Sequence, residues 1–279
     1  MDTVGRAESR MSIGSDMPGH ITRSPGGVAL NIAAALRRFG MKPAILTAIG
    51  KDPEGDDLLG ELERIGLQCD HVYRPDDLPT DSYIAIEDAG GMIAAIASAH
   101  SLEKVGDRIL QPLKTGDLST KDKPIIIDGN LSIELLRSIS KDPILSSSDL
   151  RIASASPGKA RRLQAFMGHS SATLYVNLEE AGLLCETTFS DSAIAAAAMI
   201  DRGAYRTLVT DGRNPATEAT RASLITQTPP VVPISRVTGA GDTLMAAHVA
   251  AEIHGETREA ALSRSLQAAA AHISGRNQS

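Results

Sequence analysis

The octapeptide Arg236-Val237-Thr238-Gly239-Ala240-Gly241-Asp242-Thr243 places two glycines and a carboxylate at the start of an alanine-rich run from Leu244 to Ile253 that reads as helix. Amides at a helix N-terminus have no intrahelical partner and sit at the positive end of the macrodipole. Gly239, Ala240 and Gly241 can therefore form an anion site. A carboxylate beside such amides can take a proton from a hydroxyl while they stabilise charge on a transferring phosphoryl group, the role open to Asp242. The same residues also suit a structural role, because Thr238 or Asp242 can cap the helix. The octapeptide alone leaves both readings open.

A second glycine turn, Ser24-Pro25-Gly26-Gly27, feeds a predicted helix whose Val28, Ile32, Ala35, Leu36 and Phe39 fall on one stripe and which Gly40 ends. Asn31 lies in its first turn, close to Gly26 and Gly27. A third polar group is Asn177-Leu178-Glu179-Glu180, where Asn177 and Glu180 are spaced to share a helix face. That spacing also describes a solvated helix start.

The elements that must position these residues alternate along the chain. Residues 3–25 read as short extended pieces broken by glycine and proline. Residues 43–50 form a near-continuous apolar run of the kind buried in a parallel sheet, followed by Lys51 and Asp52 and a helix over 56–65. Short strands at Val72, 83–86 and 92–96 follow, the last two flanking a hairpin-like turn at 87–91. Beyond them, strands are predicted at 124–128, 150–153, 173–176 and 207–210, and helices at 133–139, 159–166, 190–202, 244–253 and 258–273. Alternating β and α in this order predicts a mostly parallel sheet with helices on both faces and ligands at the C-terminal strand ends.

Composition removes several function classes. The chain has 279 residues, 42% hydrophobic, enough for a large core. A net charge of −6 without a Lys/Arg block argues against nucleic-acid binding, and the absence of tryptophan removes stacking platforms. Cys69 and Cys185 have no paired spacing, the seven histidines form no HExxH pair, and no apolar span approaches 20 residues. The expectation is a cytoplasmic protein acting on small molecules, with no membrane segment and no protein-held catalytic metal. No GxxxxGK[ST] sequence is present, so the phosphate chemistry is not that of a P-loop.

The pairing of a Gly-Gly-to-Asn helix near the N-terminus with Gly-Ala-Gly-Asp near the C-terminus, across an α/β alternation, resembles the PfkB, or ribokinase-like, family of carbohydrate and nucleoside kinases. The resemblance covers nearly the whole chain. Asp16-Met17-Pro18-Gly19-His20-Ile21, Thr80-Asp81-Ser82-Tyr83 and Asp128-Gly129-Asn130-Leu131-Ser132 are most similar to pseudouridine kinases within it. It implies one ribokinase-like α/β domain over residues 1–279: a three-layer sandwich with a mostly parallel central sheet and a small antiparallel β lid from about 3–25 and 72–97. It implies that Asp242 activates the 5′-hydroxyl of a nucleoside, most similarly pseudouridine, for transfer from ATP. Gly239, Ala240 and Gly241 would form the anion hole; Asp2, Gly26, Gly27 and Asn31 would hold ribose hydroxyls, with Lys51 and Asp52 at the border. Thr210, Asp211, Gly212 and Gln267 would line the nucleotide, and Asn177 and Glu180 would help to hold Mg²⁺. A monovalent cation such as K⁺ and a homodimer through the lid are further implied. The alternatives are a kinase acting on ribose or a related free sugar, and a degenerate member that binds ligand with little catalysis.

Three departures from the family pattern sharpen these expectations. Asp2 follows Met1 directly, where the family has a core strand delivering an aspartate, so either the start lies upstream or a central strand is missing. The phosphate loop reads Gly212-Arg213-Asn214-Pro215, with a proline in place of a glycine. Ala153-Ser154-Ala155-Ser156 stands where pseudouridine kinases tend to carry Asp-Pro-Val-Ser.

Overall fold

The computed structural model describes residues 1–12, 14–121, 123–145 and 148–275. In chain order its elements are β1 (Asp2–Ala7), β2 (Gly19–Ser24), α1 (Val28–Arg38), α2 (Pro53–Arg64), β3 (Ser82–Asp88), β4 (Gly91–Ser98), α3 (His100–Val105), α4 (Gln111–Thr115), β5 (Ile125–Asp128) and α5 (Ile133–Lys141). They continue with β6 (Leu150–Ala153), β7 (Thr173–Asn177), α6 (Leu178–Cys185), α7 (Ser192–Asp201), β8 (Arg206–Asp211), β9 (Asn214–Thr220), β10 (Leu224–Gln227), α8 (Ala240–Ile253) and α9 (Arg258–Ile273). Residues 159–166, predicted as α-helix, belong to a 3₁₀ helix, Pro157–Phe166.

The larger sheet has the order β10-β9-β8-β7-β6-β5. Neighbours from β5 to β8 are parallel, while β9 and β10 run antiparallel. Strands β6 and β7 are buried along almost their whole length, as a sheet covered on both faces demands. On one face Ile32 and Leu36 of α1 meet Leu244, Met245 and Leu266 of α8 and α9 over Tyr175 and Leu208. On the other, Leu136, Phe166, Leu184 and Met199 pack against Ile152, Leu174 and Val209. The three-layer α/β sandwich is thus as expected. Among the described residues no helix is long and apolar enough to cross a membrane.

The smaller sheet has the order β2-β1-β3-β4. Its β1/β2 and β3/β4 pairs are antiparallel, but β1 and β3 run parallel, with Asp2 opposite Tyr83. The sheet is therefore two hairpins joined side by side, which a strictly antiparallel expectation misses.

The predicted strand over 43–50 is a second correction. These residues are extended, but they form only isolated parallel bridges, Ala44 with Gln68 and Ala48 with Tyr73. The larger sheet stops at β5. Among the described residues no strand lies between β5 and residues 43–50, and this apolar run pairs through its two bridges alone. The strand expected at Val72 is likewise reduced to the bridge at Tyr73.

Candidate active site

The site forms where the starts of α1 and α8 meet beyond the C-terminal end of β5. Gly27 is the N-cap of α1 at φ 112°, a left-handed conformation that glycine adopts without a Cβ clash. Gly239 is the N-cap of α8 at φ 81° for the same reason. Because both helices pack on one face of the sheet, their first turns converge, and Asn31 Nδ2 donates to Asp242 Oδ2 at 2.8 Å.

The first amides of α8 divide unequally. Thr243 N donates to Gly239 O at 2.9 Å, closing the first helical turn, and Ala240 N donates to Val237 O at 3.1 Å. The amides of Gly241 and Asp242 have no acceptor among the described residues. Of the expected donors Gly239, Ala240 and Gly241, only Ala240 is engaged; the amides of Gly239 and Gly241, like that of Asp242, have no acceptor among the described residues.

Burial raises the Asp242 carboxyl to about 6; the Asn31 amide opposes the rise, and the negative charge of Asp128 adds to it. A carboxylate at this value is mostly ionised at neutral pH and retains useful basicity. Asp128 ends β5 and is itself buried. Its Oδ2 accepts from Ala29 N at 2.9 Å and its Oδ1 from Asn130 N at 2.8 Å, so it ties the sheet to the first turn of α1. The Asp128-Gly129-Asn130 sequence carried likeness but no role; only the fold shows its carboxylate facing the α1 start.

His272, on α9, was not singled out by sequence. Its Nε2 donates to Thr238 O at 2.8 Å, and its Nδ1 lies 3.2 Å from both Thr243 Oγ1 and Arg236 Nη2. Donation from Arg236 requires Nδ1 to accept, so this arrangement holds the neutral ring. Burial, with Arg236 and Arg38 nearby, also lowers its pKa. The ring pins the Thr238–Gly239 turn from outside, a long-range contact with no local signature.

Asp2 enters from the smaller sheet. A Cβ built on Gly26 would lie 1.8 Å from Asp2 Oδ2, so the missing side chain makes room for that carboxylate. Burial raises the Asp2 pKa. The structure thereby gathers Asp2, Gly26, Gly27, Asn31 and Asp242 around the two helix starts. Lys51 and Asp52 are committed elsewhere. Asp52 caps α2 through Gly55 N and takes both the backbone and the hydroxyl of Thr80, while Lys51 pairs with Asp76 in solvent.

On the sheet's far side, Thr210 and Asp211 end β8, and Gly212 turns at φ 57°. Pro215 does not break the ladder. Pairing runs from Asp211–Asn214 to Val209–Thr217, so Pro215 and Ala216 together oppose Thr210 in a bulge, where a missing N–H costs no cross-strand bond. Gln267 is exposed on α9, and its side chain donates to Ser263.

Asn177 and Glu180 form a capping box instead of sharing a helix face. Asn177 ends β7, its Oδ1 accepts from Glu180 N, and Glu180 Oε2 accepts from Asn177 N, both at 2.8 Å. Glu180 is buried, which raises its pKa, and the hydroxyl of Ser154, in the divergent Ala153–Ser156 strand end, donates to Ser156 O. With one carboxylate oxygen used by the cap, the pair fits a Mg²⁺ ion held through waters and phosphates better than a closed protein cage.

The mostly parallel sheet between two helical layers, joined to a small second sheet, is a ribokinase-like α/β fold, and its crevice holds a carboxylate beside helix amides. The chain matches the pfkB family carbohydrate kinase model over residues 1–278, and it belongs to that family. It is 30% identical over 137 residues to a pseudouridine kinase of Escherichia coli strain K12, a match spanning 49% of this chain and 43% of the relative, or less than half its length. A carbohydrate kinase from Agrobacterium tumefaciens superposes with a TM-score of 0.83 at 24% identity, covering 100% of this chain and 91% of that one. The ribokinase of Arabidopsis thaliana complexed with ribose and ATP gives 0.79 at 17% identity, covering 98% and 89%.

Proposed function

We propose that the protein is an ATP-dependent kinase that phosphorylates the 5′-hydroxyl of a nucleoside, pseudouridine first among them. The observation that carries this reading is Asn31 holding Asp242 at 2.8 Å directly beside the unpaired amides of Gly241 and Asp242. Asp242 takes the hydroxyl proton as that oxygen forms its bond to the γ-phosphorus. The bond from that phosphorus to the β,γ-bridging oxygen breaks, and the electron pair leaves with ADP. The amides of the α8 start stabilise the negative charge on the moving phosphoryl group. Asp2, settled on Gly26, and Asn31 orient the ribose. Glu180 and Asn177 would hold Mg²⁺ near the phosphates, which supplies charge neutralisation there. Thr210, Asp211, Gly212 and the α9 surface at Gln267 offer the nucleotide its wall, and Lys51 with Asp52 stabilise the rim.

The smaller sheet acts as a lid on this reading. It exposes Ile21, Ile84, Met92 and Ile96, an apolar surface suited to pairing with a second copy in a homodimer. The two free cysteines suit a reducing cytoplasm. A free-sugar kinase is the competing reading, supported by the similarity to a ribokinase fold.

The test is ADP release from ATP and Mg²⁺ with pseudouridine, uridine or ribose as acceptor, with Asp242→Asn as the blank. Turnover with pseudouridine that the variant loses supports the reading. Turnover with ribose alone moves the substrate, and binding without turnover leaves a ligand binder.

A further inference from the structure

The C-terminal end of α9 lies beside the turn that opens α8, and its carbonyls are committed. The last carbonyls of a helix carry partial negative charge and have no intrahelical donor. Here Ala270 O accepts from Ser274 N and Ala271 O from Ser274 Oγ, both at 3.0 Å. His272 O accepts from Gly275 N at 3.2 Å and from Arg236 Nε at 3.1 Å. Ile273 O takes three donors: Ser235 N at 2.9 Å, Arg236 N at 3.2 Å and Ser235 Oγ at 3.1 Å. The turn is equally committed, with Val237 O accepting from Ala240 N, Thr238 O from His272 Nε2 and Gly239 O from Thr243 N.

These are the oxygens that a monovalent cation near the free α8 amides would need. K⁺ is held by several oxygens, often main-chain carbonyls, that replace its hydration shell. Each carbonyl here faces an N–H or O–H instead, and the hydrogen occupies the approach to it. Positive charge is already present. The Arg236 guanidinium lies on the carbonyl end of α9, and no acidic side chain among the described residues bonds to it. The K⁺ implied by the family resemblance therefore does not fit this seam.

Arg236 also reaches the turn through His272. Its Nη2 donates to His272 Nδ1 at 3.2 Å, which leaves the Nε2 proton for Thr238 O at 2.8 Å. The ring lies against Gly239, where an added Cβ would fall 3.3 Å from Nε2. The free amides of Gly241 and Asp242 follow directly. A guanidinium suits this place because its charge is permanent and its planar fork serves two acceptors at once.

We propose that Arg236 stands in for a monovalent cation: it is a positioning residue that anchors the α8 turn to the end of α9 and makes the protein independent of K⁺. Its consequence for turnover rests on the kinase reading; its consequence for the turn does not.

The test compares wild type, Arg236→Ala and Arg236→Lys in potassium chloride and in tetramethylammonium chloride at equal ionic strength. Amide hydrogen exchange at Ala240 and Thr243 is read first. Wild type should exchange equally in both salts. Arg236→Ala should exchange about tenfold faster or more in tetramethylammonium, and added K⁺ or millimolar guanidinium should slow it again. Arg236→Lys, which keeps the charge, should stay closer to wild type than Arg236→Ala does. With an acceptor that turns over, Arg236→Ala should lose about tenfold or more in kcat at unchanged acceptor KM, recovered by the same ions. Slower exchange of wild type in K⁺ overturns the proposal. So does an Arg236→Ala protein that matches wild type in tetramethylammonium, or one whose loss neither ion repairs, which would make Arg236 a structural anchor alone. If wild type turns over no acceptor, the kinase reading fails and the exchange rates still decide this one.

Discussion

The Asp2 carboxylate rests against the Cα of Gly26, so close that a methyl group built there would fall 1.8 Å from Oδ2. The first strand of the smaller sheet is thereby locked against the glycine turn that opens α1. Gly26→Ala must displace Asp2, since the overlapping atoms belong to a short side chain anchored in β1. The expected outcome is an acceptor KM raised by about tenfold or more, corresponding to roughly 1.4 kcal/mol of lost binding. Steady-state kinetics with varied acceptor checks it; an unchanged KM would remove Asp2 from the substrate site.

With Asp242 as the proposed base, its titration should set the acid limb of the pH profile. Its carboxyl is raised to about 6 by burial, and only the ionised form accepts a proton. Activity should therefore fall tenfold per pH unit below about 6 and flatten above it. Asp242→Asn should lower kcat by about 10² to 10⁴ with substrate affinity retained.

Asn31 and Asp128 act on that carboxyl with opposite signs. The Asn31 hydrogen bond favours the ionised form, whereas the Asp128 charge disfavours it. Asn31→Ala should move the acid limb to higher pH and Asp128→Asn to lower pH. Two shifts of the same sign in kcat/KM profiles would mean that neither residue works through Asp242.

Stability at low pH depends on a buried ion network at the other end of the sheet. Glu218 is fully buried, with Arg206 at 2.5 Å, Arg258 at 2.7 Å and His248 at 3.4 Å. Burial alone would raise its pKa, but His248 and the two arginines overcome that and lower it to about 2. A depressed carboxylate stabilises the fold above its unfolded value of 4.5, and the contribution disappears as pH falls from 4.5 toward 2. Glu218→Gln leaves Arg206 underpaired in the interior and should cost about 3–5 kcal/mol near neutrality. Urea unfolding at pH 7 and pH 3 should show the difference between wild type and variant shrinking at the lower pH.

Much of this architecture was legible in the residue order. Val28, Ile32, Leu36 and Phe39 mark α1 by their spacing, and the runs at 124–128, 150–153, 173–176 and 207–210 mark four buried parallel strands, because side-chain periodicity is set locally by backbone geometry. Two glycine turns opening two helices were likewise legible, with Asn31 and Asp242 each in a first turn.

Sequence alone determined the alternation of elements, the glycine turns and the acid beside them. Tertiary structure decided the rest, because it depends on contacts between residues far apart in the chain. The fold brings Asn31 to Asp242, sets Asp128 at the α1 start and places His272 on the Thr238 turn. It also turns Asn177 and Glu180 inward on each other as a capping box and commits Asp52 to Thr80. Finally, only the fold shows that residues 43–50, strand-like in every local respect, pair through just two isolated bridges among the described residues: a ladder needs two strands, and no single segment encodes its partner.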